Sequence, residues 1–273
     1  MEQVPPTGAP RPRTGLALGG GVARSVAHIG VLQALEDAGI PIDCVAGTSG
    51  GALIGAGYAA GLSPSRLEEA AQSLNWRRLV ALRLRRDGLL DASGLEDLLY
   101  SLVGRRTFGE LRIPFTAVAV DVVSGEEVRL SAGPVGPAVR ASCAIPGLFI
   151  PVRLGGRTLV DGGVRNNLPT DVAREMGADV VIGVDVAESR HPGPPRNLVQ
   201  IIFYSLDIMQ QDRAVYLRSL ADVMVVPNLG AAGFFELDRT AALVGAGRAA
   251  GEAAVDAIRR LLAQRRTGGA GRE

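Results

Sequence analysis

Lysine is absent from this 273-residue chain, and its 29 basic side chains, all arginines, are balanced by 28 acidic ones. A net charge of +1 gives no electrostatic field that would attract nucleic acid by releasing counterions. Without lysine, the chain also cannot form a Walker phosphate loop. We therefore expect no nucleic-acid partner.

Cysteine is nearly absent too, and the two present, Cys44 and Cys143, lie in apolar segments. We interpret both as small buried hydrophobic residues, which require no oxidising compartment. The first residues show no apolar run of a signal peptide and no lipid-anchor motif. We therefore predict a cytoplasmic protein, with peripheral contact to a membrane surface as an option.

Long hydrophobic runs without glycine are also missing. The longest uncharged stretch, residues 44–65, contains six glycines and little leucine or isoleucine. This composition favours a strand end followed by a buried helix over a membrane span.

The hydrophobic content of 47% is sufficient for a substantial core. A single domain is predicted over residues 14–263. The Pro-rich residues 1–13 and the Gly/Arg-rich residues 264–273 are predicted to be flexible tails.

Short apolar runs alternate with longer amphipathic ones along this domain. The runs predicted as strands are Gly15–Leu18, Asp43–Ala46, Phe115–Val122, Val180–Asp185 and Val223–Val226. Helices are predicted at Ala27–Ala38, Ala52–Ala60, Pro64–Leu74, Leu95–Val103, Pro169–Met176, Leu198–Leu220 and Ala241–Leu262. The alternation predicts an α/β fold of three layers, α/β/α, around a mainly parallel sheet. Residues 127–130 alternate like an edge strand and residues 152–160 resemble a hairpin, so some antiparallel pairing is expected.

The segment Gly47-Thr48-Ser49-Gly50-Gly51 fits the G-x-S-x-G nucleophile elbow, between a predicted strand and a predicted helix. Small neighbours allow the sharp turn that exposes the Ser49 hydroxyl, and the following helix directs its positive end at developing negative charge. The alternative interpretation is a glycine-rich turn with Ser49 as a helix N-cap.

A second glycine-rich loop, Gly19-Gly20-Gly21-Val22-Ala23-Arg24, also joins a strand to a helix. The N–H groups of such a loop converge on an anion, either a phosphate or the oxyanion of acyl transfer. Nucleotide binding is the less favoured alternative, because Arg24 stands where the dinucleotide fingerprint has its last glycine.

Asp161-Gly162-Gly163 follows a third predicted strand, and by itself it is typical of a turn. A serine nucleophile needs a base, however, and the chain has only two histidines. His28 starts a helix and is interpreted as structural, whereas His191 lies in a Pro-rich surface segment. A carboxylate such as that of Asp161 is therefore the candidate base.

With these three motifs in this order, the chain resembles the patatin-like phospholipases, especially small bacterial members that contain little more than the catalytic domain. Three further segments carry the resemblance, which extends from Leu16 to about Val226: residues 27–32, 141–149 and 161–169. It implies a lipid acyl hydrolase acting on carboxylic esters, without metal or cofactor.

The resemblance also implies individual roles. Ser49 is the nucleophile, Asp161 is its general base, and amides near Gly20, Gly21 and Val22 form the oxyanion hole. His28 matches a family position outside the dyad. The residues expected to support the elbow and loops are Gly19, Arg24, Gly47, Gly51, Gly162 and Gly163.

The chain departs from the family's G-G-G-x-R-G pattern at two positions, where Val22 and Ser25 replace glycines. If φ is positive at Val22, a β-branched residue there costs about 1–3 kcal/mol and misdirects an oxyanion donor. A family member that binds lipid or a protein partner but turns over slowly is therefore the alternative hypothesis.

Two other segments are candidates for substrate access. Residues 76–86 mix five arginines with apolar residues, which fits a lid, an anionic membrane contact or a solvated helix. Phe234-Phe235 is a second candidate lip or a core element. The sequence leaves open the acyl-chain length, the head group, the choice among hydrolase, thioesterase and acyltransferase, and the oligomeric state, although Leu198–Leu220 offers a helical contact.

Overall fold

The computed structural model describes residues 11–73, 81–85, 88–187, 193–230 and 239–268. Within these ranges the helices are α1 (Ala27–Asp37), α2 (Gly50–Ala59), α3 (Pro64–Gln72), α4 (Ser93–Val103), α5 (Val135–Ser142), α6 (Thr170–Glu175), α7 (Leu198–Ser219) and α8 (Thr240–Gly268). The strands are β1 (Thr14–Leu18), β2 (Cys44–Thr48), β3 (Ala81–Arg85), β4 (Gly88–Asp91), β5 (Phe115–Asp121), β6 (Glu127–Leu130), β7 (Val152–Leu154), β8 (Arg157–Asp161), β9 (Val180–Val184) and β10 (Val223–Val225).

The main sheet has the order β10-β9-β1-β2-β5-β8-β7, with β6 also paired to β5. The five strands from β10 to β5 run parallel, whereas β6, β7 and β8 pair in antiparallel fashion. The predicted α/β class with a mainly parallel sheet and an antiparallel edge is therefore confirmed.

The side chains of β1 show why helices cover both faces of the sheet. Leu16 and Leu18 join the large apolar core beneath α1, α2, α4 and α8, whereas Ala17 joins a smaller cluster beneath α6. Alternate residues of a strand point to opposite faces. Both faces are apolar, so each needs its own helix layer.

Two glycines let α1 and α8 cross in backbone contact. A Cβ at Gly30 would lie 1.9 Å from the Val244 carbonyl oxygen, and one at Gly247 would lie 1.9 Å from that of Ala27. No side chain larger than hydrogen fits at either position. This crossing holds α1 firmly behind the glycine-rich loop that precedes it.

The structure differs from the sequence-based elements in a few places. Helix α2 begins at Gly50, two residues before its predicted start, and α8 continues to Gly268, so the first residues of the predicted C-terminal tail are helical. At the other end, Arg11 in the predicted N-terminal tail forms an ion pair of 2.7 Å with Asp43. Helix α5 and the β3–β4 hairpin were not predicted.

Candidate active site

Strands β2 and β8 meet end to end along one edge of β5. Residues 115–118 of β5 pair with β2, and residues 119–121 pair with β8, while β6 occupies the opposite edge. Because β8 runs antiparallel to β5, the C-terminal ends of β2 and β8 face each other. This topology brings Ser49, directly after β2, to Asp161, the last residue of β8.

Ser49 occupies a tight turn between β2 and α2, with φ 54° and ψ −127°. Left-handed backbone of this kind is strained for a residue with a side chain, and it persists only where the surroundings enforce it. Two glycines provide the space: a Cβ at Gly47 would lie 2.8 Å from the Ala52 nitrogen, and one at Gly51 would lie 2.3 Å from the Leu18 oxygen. This is the geometry of the predicted elbow.

The Ser49 hydroxyl donates a hydrogen bond of 2.6 Å from Oγ to Oδ2 of Asp161. The other carboxylate oxygen accepts the Gly163 N–H at 2.7 Å, which fixes the carboxylate plane. Gly162 permits this approach, because a Cβ there would lie 2.3 Å from the Val118 oxygen. The structure thus brings together the two predicted site residues, which are 112 positions apart.

The Asp161 carboxyl group is 5% exposed. Burial raises its pKa from the usual 3.8 to about 6, although the hydrogen bonds from Ser49 and Gly163 oppose the shift. The carboxylate is therefore ionised at neutral pH but remains a stronger base than an ordinary aspartate. Such a pKa suits a group that must take a proton from a hydroxyl.

Ser142, at the end of α5, holds the Ser49 turn in place. Its hydroxyl accepts the Ser49 N–H at 2.9 Å and donates to the Val118 carbonyl at 2.6 Å. The side chain is fully buried. Sequence reasoning assigned Ser142 no role, because a serine in an apolar segment gives no signal of which backbone groups it will meet.

The glycine-rich loop lies against the same turn. Gly19 N–H donates to the Val184 carbonyl at 3.0 Å, and Gly20 N–H donates to the Asn167 carbonyl at 3.0 Å. The Gly20 N–H is therefore already hydrogen-bonded within the protein. This differs from the prediction that it contributes to an oxyanion hole. The Gly21 and Val22 amides form no hydrogen bond with the described residues, so they remain the candidate donors.

Val22 has a φ of 51°, which is the positive φ considered for this residue in the sequence analysis. A β-branched residue in this region is strained by about 1–3 kcal/mol. Arg24 is fully buried beneath the loop, and the hydroxyl of Ser25 is buried without a hydrogen bond to a described residue. The loop therefore carries local strain next to Ser49.

His28 supports the loop from below. Its Nε2 lies 2.7 Å from the Gly19 carbonyl oxygen. Since a carbonyl only accepts, Nε2 carries the hydrogen and donates it, and Nδ1 has no partner among the described residues. Burial lowers the pKa of His28 to about 4. The structural role predicted for His28 therefore agrees with its contacts.

We expect His28 to make the protein less stable in acid. Its pKa is about 4 when folded and 6.5 ordinarily, so the unfolded chain binds the proton first as the pH falls through this interval. The contribution of His28 to the free energy of unfolding should fall by about 3 kcal/mol between pH 6.5 and 4 and change no further below that. Urea unfolding of the wild type and His28→Gln across this range measures the difference. If the two proteins differ in their free energy of unfolding by the same amount at every pH, the low pKa of His28 is contradicted.

Ser49 opens onto an apolar channel between three helices. Its walls include Leu53 and Ile54 of α2, Leu67 and Ala71 of α3, and Leu95 and Leu99 of α4. The space, measured out to the open mouth and including solvent there, is about 900 Å³. Its almost wholly apolar lining suits a hydrocarbon chain.

A second, more polar space of about 520 Å³, measured to its open mouth, also adjoins Ser49. Gly21, Val22, Ser49 and Asp161 line its floor, and Phe203, Leu206, Asp207 and Gln210 of α7 form one wall. Ser49 therefore borders both an apolar space and a more polar one, and Asp161 borders the second.

The remaining candidates fall largely outside the described residues, including His191 and Phe234-Phe235. Of residues 76–86, the described part, Ala81–Arg85, forms strand β3, so the helical interpretation does not hold there. A role of this segment as a lid or membrane contact stays a prediction. Within the described parts of the chain, no helix combines the length and apolarity needed to cross a membrane.

Comparison with known proteins agrees with this geometry. The model of the patatin-like phospholipase family matches residues 16–174, more than half of the chain. The chain is 41% identical over 196 residues to an uncharacterised NTE family protein of Mycobacterium tuberculosis, covering 70% of this chain and 53% of that protein. It is 36% identical over 181 residues to human patatin-like phospholipase domain-containing protein 6, covering 63% of this chain and 13% of that protein.

The chain belongs to the patatin-like phospholipase family. It spans about half the length of the mycobacterial relative and a smaller share of the human one. Among solved structures, VipD from Legionella pneumophila shares the fold with a TM-score of 0.61 at 15% identity, over 92% of this chain and 68% of that one.

Proposed function

We propose that this protein is a serine lipid acyl hydrolase that cleaves carboxylic esters of phospholipids or related lipids. The observation that carries the proposal is the 2.6 Å contact between the Ser49 hydroxyl and the Asp161 carboxylate at the mouth of an apolar channel. Family membership supports the same reaction class.

Acylation begins when Ser49 Oγ attacks the ester carbonyl carbon and passes its proton to Asp161. The carbonyl oxygen becomes an oxyanion, and we expect the Gly21 and Val22 amides to bind it. As the tetrahedral intermediate collapses, the ester C–O bond breaks and Asp161 returns the proton to the leaving alcohol. The acyl group then remains on Ser49.

Deacylation repeats these steps with water. The water oxygen attacks the acyl carbon while Asp161 takes a proton from the water. Asp161 then returns that proton to Ser49 Oγ as the fatty acid leaves. An alcohol or thiol replacing water would give transferase chemistry on the same acyl-enzyme, so acceptor choice is a separate question from the dyad.

The two cavities suggest how an ester is oriented. The apolar channel accepts the hydrocarbon chain, because burial of each methylene there stabilises the complex by about 0.8 kcal/mol. The more polar cavity accepts the alcohol portion, since it adjoins both Ser49 and Asp161 and is lined by Asp207 and Gln210. This arrangement favours esters with an apolar acyl group and a polar alcohol.

A binding protein with little turnover is the second candidate function, and the strained Val22 favours it. A misdirected Val22 amide would remove one oxyanion donor, and loss of one donor typically slows turnover by about 100- to 1,000-fold. The two functions differ in whether Ser49 is reactive in the folded protein.

A fluorophosphonate probe separates the two functions. We expect it to label the wild type stoichiometrically, with the adduct mapped to Ser49 by peptide mass spectrometry, and we expect the wild type to release fatty acid from a panel of lipids. Ser49→Ala should lose both signals. Ser25→Ala is the matched control, because it removes another serine hydroxyl that lines the same channel. It should keep the label, since that hydroxyl forms no hydrogen bond with a described residue. A folded wild type that stays unlabelled would exclude the hydrolase.

A further inference from the structure

Helix α7 presents an apolar surface to solvent. Six large apolar side chains along it are between 48% and 77% exposed: Leu198, Ile201, Ile208, Met209, Val215 and Tyr216. Contiguous apolar patches of this kind on soluble proteins usually mark an interaction site. We call these six residues, together with Ser205 and Asp212 between them, the α7 stripe.

The stripe occupies one side of the helix. At 3.6 residues per turn, its eight members fall within an arc of about 120°. The other side of α7 faces the protein, where Leu217 is fully buried and Phe203 and Leu206 pack against the core. The stripe is therefore an outward face, separate from the side that lines the polar cavity.

Six of the eight stripe residues pair symmetrically about a point between Ile208 and Met209, whereas Leu198 and Val215 have no counterpart in the stripe. Moving outward from that point, the apolar pair Ile208 and Met209 is followed by the polar pair Ser205 and Asp212. The next pair outward, Ile201 and Tyr216, is apolar again. A surface that is symmetric in this way complements a rotated copy of itself.

We propose that α7 forms the interface of a homodimer, in which the α7 helices of two copies pack antiparallel about a twofold axis between Ile208 and Met209. Ile208 of each copy then contacts Met209 of the other, and Ile201 contacts Tyr216. The Ser205 hydroxyl of one copy donates to the Asp212 carboxylate of the other. The pairing therefore buries the apolar residues and gives the polar ones partners.

A second copy fits the stripe better than a lipid surface does. Asp212 lies in the middle of the stripe, where insertion among acyl chains would leave its carboxylate without a partner. Helix α7 also carries two aspartates and two arginines, so it has no excess positive charge to attract anionic lipid.

The dimensions of α7 suit a helix pair. A helix of 22 residues is about 33 Å long, and the stripe covers most of that length. Antiparallel helices pack at about 8–10 Å between their axes, a distance that side chains of this size can fill. Such a pair would also hold the wall of the polar cavity, because Asp207 and Gln210 lie on the inner side of the same helix.

Sedimentation velocity of the full chain over a wide concentration range tests the dimer. We expect the wild type to sediment as a dimer at the higher concentrations. Ile208→Glu should sediment as a monomer, because it places two carboxylates beside the twofold axis. Its fold should be unchanged by circular dichroism and thermal melting, since position 208 is exposed.

A second substitution tests the antiparallel register. Adding Met209→Arg to Ile208→Glu should restore the dimer, because each new glutamate faces the new arginine of the other copy. The two substituted positions are adjacent in one helix and do not face each other within it. As a matched control, Val123→Glu introduces the same charge at an exposed apolar site on the β5–β6 turn and should leave the dimer intact.

Three results would overturn the proposal. These are a monomeric wild type at all concentrations, a dimer that survives Ile208→Glu, and a double variant that stays monomeric. Flotation with phosphatidylcholine and phosphatidylglycerol vesicles tests the competing possibility that the α7 stripe binds a membrane. A monomeric wild type that floats, and loses flotation with Ile208→Glu, would assign the stripe to a membrane instead.

Discussion

Asp161→Asn is expected to stop ester hydrolysis while making the folded protein more stable at pH 8. The amide cannot take the Ser49 proton, so turnover should fall by about 10²- to 10⁴-fold, the range of a lost general base. The amide oxygen can still accept the Gly163 N–H, and its NH₂ group can donate to Ser49 Oγ. The geometry of the turn should therefore survive the change.

The gain in stability follows from the raised pKa of Asp161. Below pH 3.8 the carboxyl group is protonated in both the folded and the unfolded chain, so it has no ionisation cost. Between pH 3.8 and about 6 it ionises only in the unfolded chain, and above pH 6 the folded state bears the full cost of about 3 kcal/mol. The asparagine variant avoids this cost, so its advantage should be large at pH 8 and disappear near pH 4.

Urea unfolding at several pH values, together with a chromogenic ester assay, measures both effects. For the wild type, kcat/KM should fall tenfold per pH unit below about pH 6 as Asp161 becomes protonated. Asp121→Asn makes the same change at another buried aspartate, at the far end of β5, and should retain activity. Wild-type turnover in Asp161→Asn would eliminate the dyad.

Ser142→Ala should have the largest effect on stability. It leaves the Ser49 N–H and the Val118 carbonyl without their hydrogen-bond partner in the protein interior. Each unpaired buried group costs about 1–3 kcal/mol, so a loss of roughly 2–6 kcal/mol is expected. Turnover should also fall at temperatures where the variant is folded, because the strained Ser49 backbone loses one of the contacts that enforce it.

The rate of fluorophosphonate labelling distinguishes positioning from a purely structural role. We expect folded Ser142→Ala to be labelled more slowly than the wild type, and Ser142→Cys, which keeps a weak donor and acceptor, to be intermediate. Ser101→Ala removes an exposed hydroxyl that donates to the Leu98 carbonyl and should change neither stability nor labelling. A normal labelling rate in Ser142→Ala would restrict that residue to a structural role.

The fold was predictable because its signals are local. Apolar strands such as β1 and β9 alternate with amphipathic helices, and the glycines around Ser49 indicate a tight turn between a strand and a helix. Helix α5 was missed because Gly136 and Pro137 are poor helix formers, although proline is tolerated in a first helical turn.

The site was only partly predictable, because its contacts join distant segments. Asp161 alone is typical of a turn. The lack of a suitable histidine made its carboxylate a candidate base, and the resemblance to a family then paired it with Ser49. The pairing depends on β8 joining the free end of the β5 edge, which no local pattern indicates. The engagement of Gly20 by the Asn167 carbonyl was missed for the same reason, since backbone carbonyls carry no sequence signal.

The end-to-end meeting of β2 and β8 has a consequence for biosynthesis. The ribosome makes Ser49 long before Asp161, and the hydroxyl has no carboxylate beside it until β8 has docked on β5. A nascent or truncated chain that ends before β8 therefore holds an inert serine. The proposed hydrolase would therefore gain its activity only once this edge of the sheet is complete.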